Sequence, residues 1–175
     1  DRALAAHAGL REEVVHAVDD VSMTIRQGEV LGLVGEEYGS TQAAHASLII
    51  DPIDGTAGFV KKDGDFGVQI GLAENGVPVL GIVFLPFHDS MSYAVKGGGS
   101  FTAIGSGEPV RMSTSDRTDL SAMTIAVTRN HLTPRMKRII EHFGFPNVVR
   151  RGSVGLKAGL IASRTCDIYI TESAD

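Results

Sequence analysis

The 175-residue sequence has no tryptophan, a single cysteine and no excess of basic residues. The lone Cys166 excludes an internal disulfide, and we interpret it as a small buried hydrophobic residue, which suits a reducing cytoplasm. The formal net charge of −5 offers no basic surface for a nucleic-acid polymer. No apolar run approaches the ~20 residues of a membrane-spanning helix, and no signal segment opens the chain. We therefore expect a cytoplasmic protein without membrane or nucleic-acid partners.

The residues that are present are those of a globular domain. The chain is 43% hydrophobic and 21% charged, and its length is sufficient for one domain with a substantial core. It begins at Asp1 without methionine and stops at Asp175 after a strand-like run, so we expect a fragment truncated at both ends.

Apolar patterning predicts an α+β fold, with an antiparallel sheet followed by a smaller α/β unit. The residues around Asn75-Gly76 indicate a hairpin turn, and we interpret the run 97–99 as another turn rather than a phosphate cradle. The predicted strands are 17–25, 29–34, 47–50, 67–73, 77–84, 90–95, 101–104, 124–128, 147–150 and 167–171, and the predicted helices are 3–15, 134–143 and 154–163.

The most informative segment is D-P-I-D-G-T at residues 51–56, which follows an apolar run. A proline with fixed φ and a flexible glycine allow a sharp turn. Asp51, the carbonyl of Ile53 and Asp54 can then face one space, as hard oxygen ligands for Mg²⁺ do. The alternative is an ordinary Asp-Pro turn. A second acidic pair, Glu36-Glu37, ends another apolar run and favours the metal site.

These motifs carry a resemblance to a known family. L-V-G-E-E at 33–37, followed by I-I-D-P-I-D-G-T-A-G-F at 49–59, resembles the signature of the inositol monophosphatase superfamily of Mg²⁺-dependent phosphomonoesterases. Further blocks at 59–66, 127–131 and 152–157 are most similar to the 3'(2'),5'-bisphosphate nucleotidase branch. The resemblance spans residues 34–175 and implies a layered α/β sandwich of the inositol monophosphatase type.

The resemblance also implies a site and a reaction. Water activated by two or more bound metal ions would attack the phosphate of a small molecule, without a covalent phosphoenzyme. By resemblance the metal ligands are Glu36, Asp51, the Ile53 carbonyl and Asp54, while the Thr56 hydroxyl binds the attacking water and the amides of Gly55 and Thr56 contact phosphate. We therefore name Thr56, Glu36, Asp51 and Asp54 as catalytic.

Three further residues are candidates for substrate contact, and each has a second interpretation. Ser153 and Lys157 lie at a predicted helix start, where they could instead be a cap and a solvated lysine. His131 could equally be a surface histidine, and Glu37 could be a ligand or only a solvated carboxylate. The implied substrate is a 3'(2'),5'-bisphosphate nucleotide, with inositol phosphate and histidinol phosphate as alternatives. The family commonly dimerises, so a homodimer is a further expectation.

Two elements of the family pattern are missing. The family carries a further metal-binding aspartate in a W-D-x-A-[AG] motif, and this sequence contains no tryptophan. The acidic residue that partners the threonine of D-G-T is not identified either, although Asp19 and Asp20 have the right chemistry. We therefore expect one incomplete metal site and little or no turnover from these 175 residues.

Residues 14–36 carry a different resemblance, to the opening strands of an ABC-transporter ATPase. A phosphate loop with its lysine would have to follow Gly35, but the sequence continues Glu36-Glu37-Tyr38-Gly39. ATP binding is therefore disfavoured, and a junction near residues 33–36 would make the chain a chimera. We divide it into residues 1–33, 34–120 and 121–175, and keep an ABC nucleotide-binding subunit or an inactive chimeric fragment as alternatives.

Overall fold

The computed structural model describes residues 31–35, 39–40, 46–129 and 132–171, the first two ranges as backbone only. The described strands form two sheets. The larger has the order β2-β1-β3-β4-β5-β6-β7-β8, with β1 parallel to β3 and all other neighbours antiparallel. Its strands are β1 Leu31–Gly35, β2 Gly39–Ser40, β3 Ala46–Asp54, β4 Gly67–Glu74, β5 Val77–Leu85, β6 Ser90–Val95, β7 Gly99–Ile104 and β8 Val110–Met112.

Local turn chemistry explains the antiparallel part of this sheet. Asn75 and Gly76 both adopt left-handed backbone angles, with φ of 49° and 76°. Two successive residues of that kind match the twist of the strands they join, so β4 and β5 form the predicted hairpin. Gly97 and Gly98 likewise lie in the turn between β6 and β7, and Gly99 begins β7, which confirms that the glycine run forms a hairpin turn.

The smaller sheet is parallel, in the order β10-β9-β11. Parallel neighbours require crossover connections, and helices provide them. Its core consists of Ile125, Val127 and Phe145, the first two with no exposed surface. The elements are β9 Thr124–Thr128, α2 Pro134–Phe143, β10 Asn147–Arg151, α3 Val154–Ala162 and β11 Ile168–Tyr169, and a short earlier helix, α1, spans Thr56–Lys61 in the larger-sheet region.

Helix α3 lies between the two sheets. It packs against β4 and β5 of the larger sheet and against all three strands of the smaller one. The N-terminus of α3 is therefore brought next to the strands that carry the acidic turn, which places Ser153 close to Asp54 although 99 residues separate them in the sequence.

The α+β class and most predicted elements are confirmed, with five corrections. The strand predicted at 47–50 runs through the acidic motif to Asp54, because a shift in register between Asp51 and Asp54 accommodates Pro52, which has no N–H to donate. Helix α1 and strand β8 were not predicted, and the last strand is shorter than 167–171. The large sheet is mixed rather than purely antiparallel, because β1 pairs with β3 in parallel.

Several predictions fall outside the described residues, namely the helix at 3–15, the strand at 17–25, and the residues Asp19, Asp20, Glu36, Glu37 and His131. The boundaries 1–33, 34–120 and 121–175 stay predictions. Of the helices in the part of the chain that the structure describes, none is long and apolar enough to cross a membrane.

Candidate metal and phosphate site

The acidic turn is built where β3 meets α1. β3 ends at Asp54, Gly55 follows with φ 85°, and α1 begins at Thr56. The turn also bonds within itself: the Ile53 amide donates to Asp51 Oδ1 over 3.1 Å. This contact helps to fix the orientation of Asp51, whose ionised carboxylate can accept several hydrogen bonds.

The second carboxylate of the turn, Asp54, is held from the far side by helix α3. The Ser153 hydroxyl and the Gly155 amide, the latter at 2.8 Å, both donate to Asp54 Oδ2. Among the described residues, no hydrogen bond to the other oxygen, Oδ1, is found. Helix α3 thus orients the Asp54 carboxylate through Oδ2.

Ser153 was predicted to contact substrate, but the structure gives it two contacts within the protein. Its side chain has no exposed surface, and its oxygen accepts the Leu156 amide at 3.0 Å as the N-cap of α3 while its hydroxyl donates to Asp54. Ser153 therefore links the start of the helix to the acidic turn.

Thr56 is exposed at the first position of α1. Its hydroxyl donates to the Ile53 carbonyl over 3.2 Å. The sequence assigned both of these groups to the site, one as a donor to water and the other as a metal ligand, and the structure brings them together. A carbonyl oxygen has two lone pairs, so this bond and a metal bond are compatible.

Lys157 is a buried residue of α3. It is 1% exposed, and its Nζ donates to the carbonyls of Arg151 and Gly152, each at 3.3 Å. Burial lowers the pKa of the Lys157 ammonium, while the Asp54 and Asp65 carboxylates act in the opposite direction. The predicted contact between Lys157 and substrate stays a prediction, and in this structure both of those donor bonds stay within the chain.

A second acidic pair adjoins the turn and was missed as a functional feature. The Asp63 and Asp65 carboxylates both meet Arg129, at 2.7 and 3.2 Å. A hydrogen bond from the Asp65 amide, together with Arg129, holds the pKa of Asp63 below its ordinary value. The alternation of charge and glycine in K-K-D-G-D at 61–65 was visible in the sequence, but nothing local indicated that its partners lie 64 residues or more away.

The donors of this turn suit magnesium. Mg²⁺ is held in proteins by one or two carboxylates and oxygen donors, and it keeps several waters. Asp51, Asp54 and the Ile53 carbonyl are oxygen donors of that type. Among residues that the structure describes, no three His, Cys, Asp or Glu side chains converge. The predicted ligand Glu36 lies outside the described residues.

A cavity of ≈ 480 Å³ adjoins the turn, between the larger sheet and α3. Asp51 and Gln69 lie at its wall, but most of its lining is Ile, Leu, Val, Ala and Gly, including Ala158 and Ala162 of α3. A phosphate dianion would lose its hydration there without replacement contacts. The lining of this cavity therefore does not suit a phosphate group.

The fold and the site together define a class of protein: a layered α+β protein with an aspartate-rich turn at the end of a strand. The sequence profile of the inositol monophosphatase family matches residues 9–174, nearly the whole chain, and the chain belongs to that family. The predicted superfamily and fold are thereby confirmed. The profile runs through residues 14–36, and no comparison supports the predicted ABC-transporter segment or a chimera.

Relatives of three kinds match. CysQ of Buchnera aphidicola, a 3'(2'),5'-bisphosphate nucleotidase, is 33% identical over 122 residues, which are 69% of this chain and 44% of that protein. A histidinol-phosphatase of Mycobacterium tuberculosis is 35% identical over 111 residues, 61% of this chain and 42% of that one. The solved inositol monophosphatase of Anabaena superimposes with a TM-score of 0.68 at 28% identity, covering 79% of this chain and 56% of that one. The chain thus spans less than half the length of the curated nucleotidases that it matches.

Proposed function

We propose that this chain carries the metal-binding half of a Mg²⁺-dependent phosphomonoesterase that acts on a small molecule. The observation that carries the proposal is the orientation of Asp54 by two donors from α3, both on Oδ2. A carboxylate held by its neighbours in this way is typical of a metal ligand. Family membership supports the same reaction class.

The residues of this chain have separate tasks in the proposed reaction. Asp51, Asp54 and the Ile53 carbonyl would hold the metal, together with Glu36. Bound Mg²⁺ neutralises phosphate charge and lowers the pKa of a bound water. The Thr56 hydroxyl would turn from the Ile53 carbonyl towards the attacking water.

The phosphate itself lies next to the same turn in this proposal. The amides of Gly55 and Thr56 would contact it, and the left-handed backbone of Gly55 brings the chain close enough for that. The predicted contacts from Ser153, Lys157 and His131 belong to the proposal too. For Ser153 the contact would be indirect, through its bond to Asp54.

For the substrate we propose a 3'(2'),5'-bisphosphate nucleotide. Support comes from the matching CysQ nucleotidases, while the histidinol-phosphatase and inositol monophosphatase relatives define the rival substrates. Affinity for adenosine 3',5'-bisphosphate, histidinol phosphate and inositol 1-phosphate would be measured in Mg²⁺, with phosphate release followed in the same samples. Tighter binding of either rival would overturn the nucleotide assignment.

The metal site is tested by calorimetric titration of Mg²⁺ into this chain and into the double variant Asp51→Asn/Asp54→Asn. We expect binding in the parent and none in the variant. The control is Asp89→Asn/Asp116→Asn, which removes the same charge from two exposed positions. Equal binding by all three proteins, or none by the parent, contradicts the proposed site.

A further inference from the structure

We propose that Asp65 is a positioning residue of the candidate metal site, an inference that rests on the proposed function. Asp65 is only 4% exposed, and a charged carboxylate buried to that extent requires partners. It is not one of the predicted metal ligands. Its side chain and its backbone contact different segments of the site, which is the basis of the proposal.

The side chain of Asp65 holds the turn that precedes α3. Its Oδ2 accepts the Gly152 amide at 2.9 Å, and the same oxygen lies 3.2 Å from Arg129. Its Oδ1 lies 3.8 Å from Nε of Arg151. The Gly152 peptide therefore points at a carboxylate whose negative charge is balanced by two guanidinium groups.

The backbone of Asp65 packs closely against the acidic turn. A Cβ built on Gly55 would lie 2.4 Å from the Asp65 carbonyl oxygen, and one built on Gly58 would lie 2.5 Å from it. Both glycines thus allow an approach that no other residue permits. Asp65 thus lies between the turn that contains Asp54 and the turn that contains Ser153.

Asp65 is connected to Asp54 through a series of contacts. Asp65 fixes the Gly152 amide, the next residue is Ser153, and the Ser153 hydroxyl donates to Asp54. Without the Asp65 carboxylate the 151–153 turn loses a charged anchor, and the two donors on Asp54 Oδ2 lose their alignment. Groups that orient a metal ligand affect metal affinity by about 10- to 100-fold, so we expect an effect at the lower end.

The first test compares Mg²⁺ affinity in variants of the full chain. Asp65→Ala is expected to weaken binding about tenfold, whereas Asp65→Asn, which keeps an acceptor oxygen for Gly152, should recover most of the loss. Asp116→Ala is the control, because it removes the same charge from an exposed position. Equal weakening by Asp116→Ala and Asp65→Ala would mean that only charge matters, and the proposal would be wrong.

A double-mutant cycle identifies the route of the effect. If Asp65 acts through Ser153, Asp65→Ala adds little further weakening in a Ser153→Ala background. Fully additive effects on Mg²⁺ affinity would show that Asp65 does not act through Ser153 and would overturn the proposal.

A second readout needs neither metal nor turnover. The Gly155 amide donates to Asp54, so its hydrogen exchange in the metal-free protein reports the alignment directly. We expect about tenfold faster exchange in Asp65→Ala, with the Val127 amide of β9 unchanged. Unchanged exchange at Gly155 refutes the positioning role. Faster exchange in a chain that binds no Mg²⁺ would keep the positioning role and refute the proposed metal site.

Discussion

Replacing Gly55 by alanine should be among the most destabilising single changes in the acidic turn. Its φ of 85° costs an alanine about 1–2 kcal/mol. The added Cβ would also lie 2.4 Å from the Asp65 carbonyl oxygen and 3.3 Å from Ser153 Cβ, so the surrounding backbone must shift. Overpacking of this kind costs about 1–3 kcal/mol. The expected loss in unfolding free energy is therefore about 2–5 kcal/mol.

Gly76→Ala separates the two contributions. Gly76 has a similar φ of 76°, but nothing lies within 4 Å of the position that its Cβ would take. Only the conformational cost of about 1–2 kcal/mol applies there. Urea unfolding of both variants, followed by circular dichroism, gives the two free energies. If Gly55→Ala costs no more than Gly76→Ala, the close approach between the turn and Asp65 is not real.

Three further predictions concern single side chains. Ser153→Ala and Thr133→Ala each remove an N-cap and should each lower the free energy of unfolding in urea by about 1 kcal/mol. Only Ser153→Ala should also weaken Mg²⁺ binding, because Ser153 donates to Asp54. Equal Mg²⁺ affinities of the two variants would contradict the Ser153–Asp54 bond. The pKa of Asp167 is held below its ordinary value by hydrogen bonds from Ser115 and the Thr124 amide and by the Arg117 guanidinium. Ionised Asp167 therefore stabilises the folded state above its ordinary pKa, and this stabilisation is lost as the pH falls through the lower folded pKa. Asp167→Asn should accordingly flatten the acid limb of a pH–stability curve. Burial raises the pKa of the Cys166 thiol, which should react with a thiol reagent far more slowly in the native protein than in urea; equal rates would refute its burial.

Elements with strong local signals could be predicted from the sequence. Strand β9 and helix α2 lie at the predicted residues, the helix because Thr133 caps it and Pro134 occupies its first position. The Asn75-Gly76 hairpin was equally clear, since both residues tolerate left-handed angles. In each case the determinant lies within a few residues of the element.

Elements that depend on distant contacts could not be predicted. Strand β3 extends past its apolar run because β4 pairs with it as far as Asp54. Strand β8 is only three residues long and exists through its pairing with β7. Tertiary pairing overrides weak local preference in such segments.

The candidate site shows the same division. Its candidate ligands could be proposed from the sequence, because two aspartates and a glycine in one turn form a compact pattern. The contacts that Ser153 and Lys157 make within the protein could not be predicted, because their partners are supplied by the tertiary fold. The deciding contacts join residues that are 87 and 99 positions apart in the sequence.

The two sheets therefore share one site. The carboxylate of Asp54 belongs to the larger sheet, but both donors that orient it come from α3, which follows a strand of the smaller sheet. Asp65, in the loop before β4, accepts the Gly152 amide next to that helix and so closes the connection from the other side. Lys157 also supports the turn that precedes α3, because its ammonium donates to the carbonyls of Arg151 and Gly152. Metal affinity should accordingly depend on the position of the α3 N-terminus relative to Asp54, and not on the acidic turn alone.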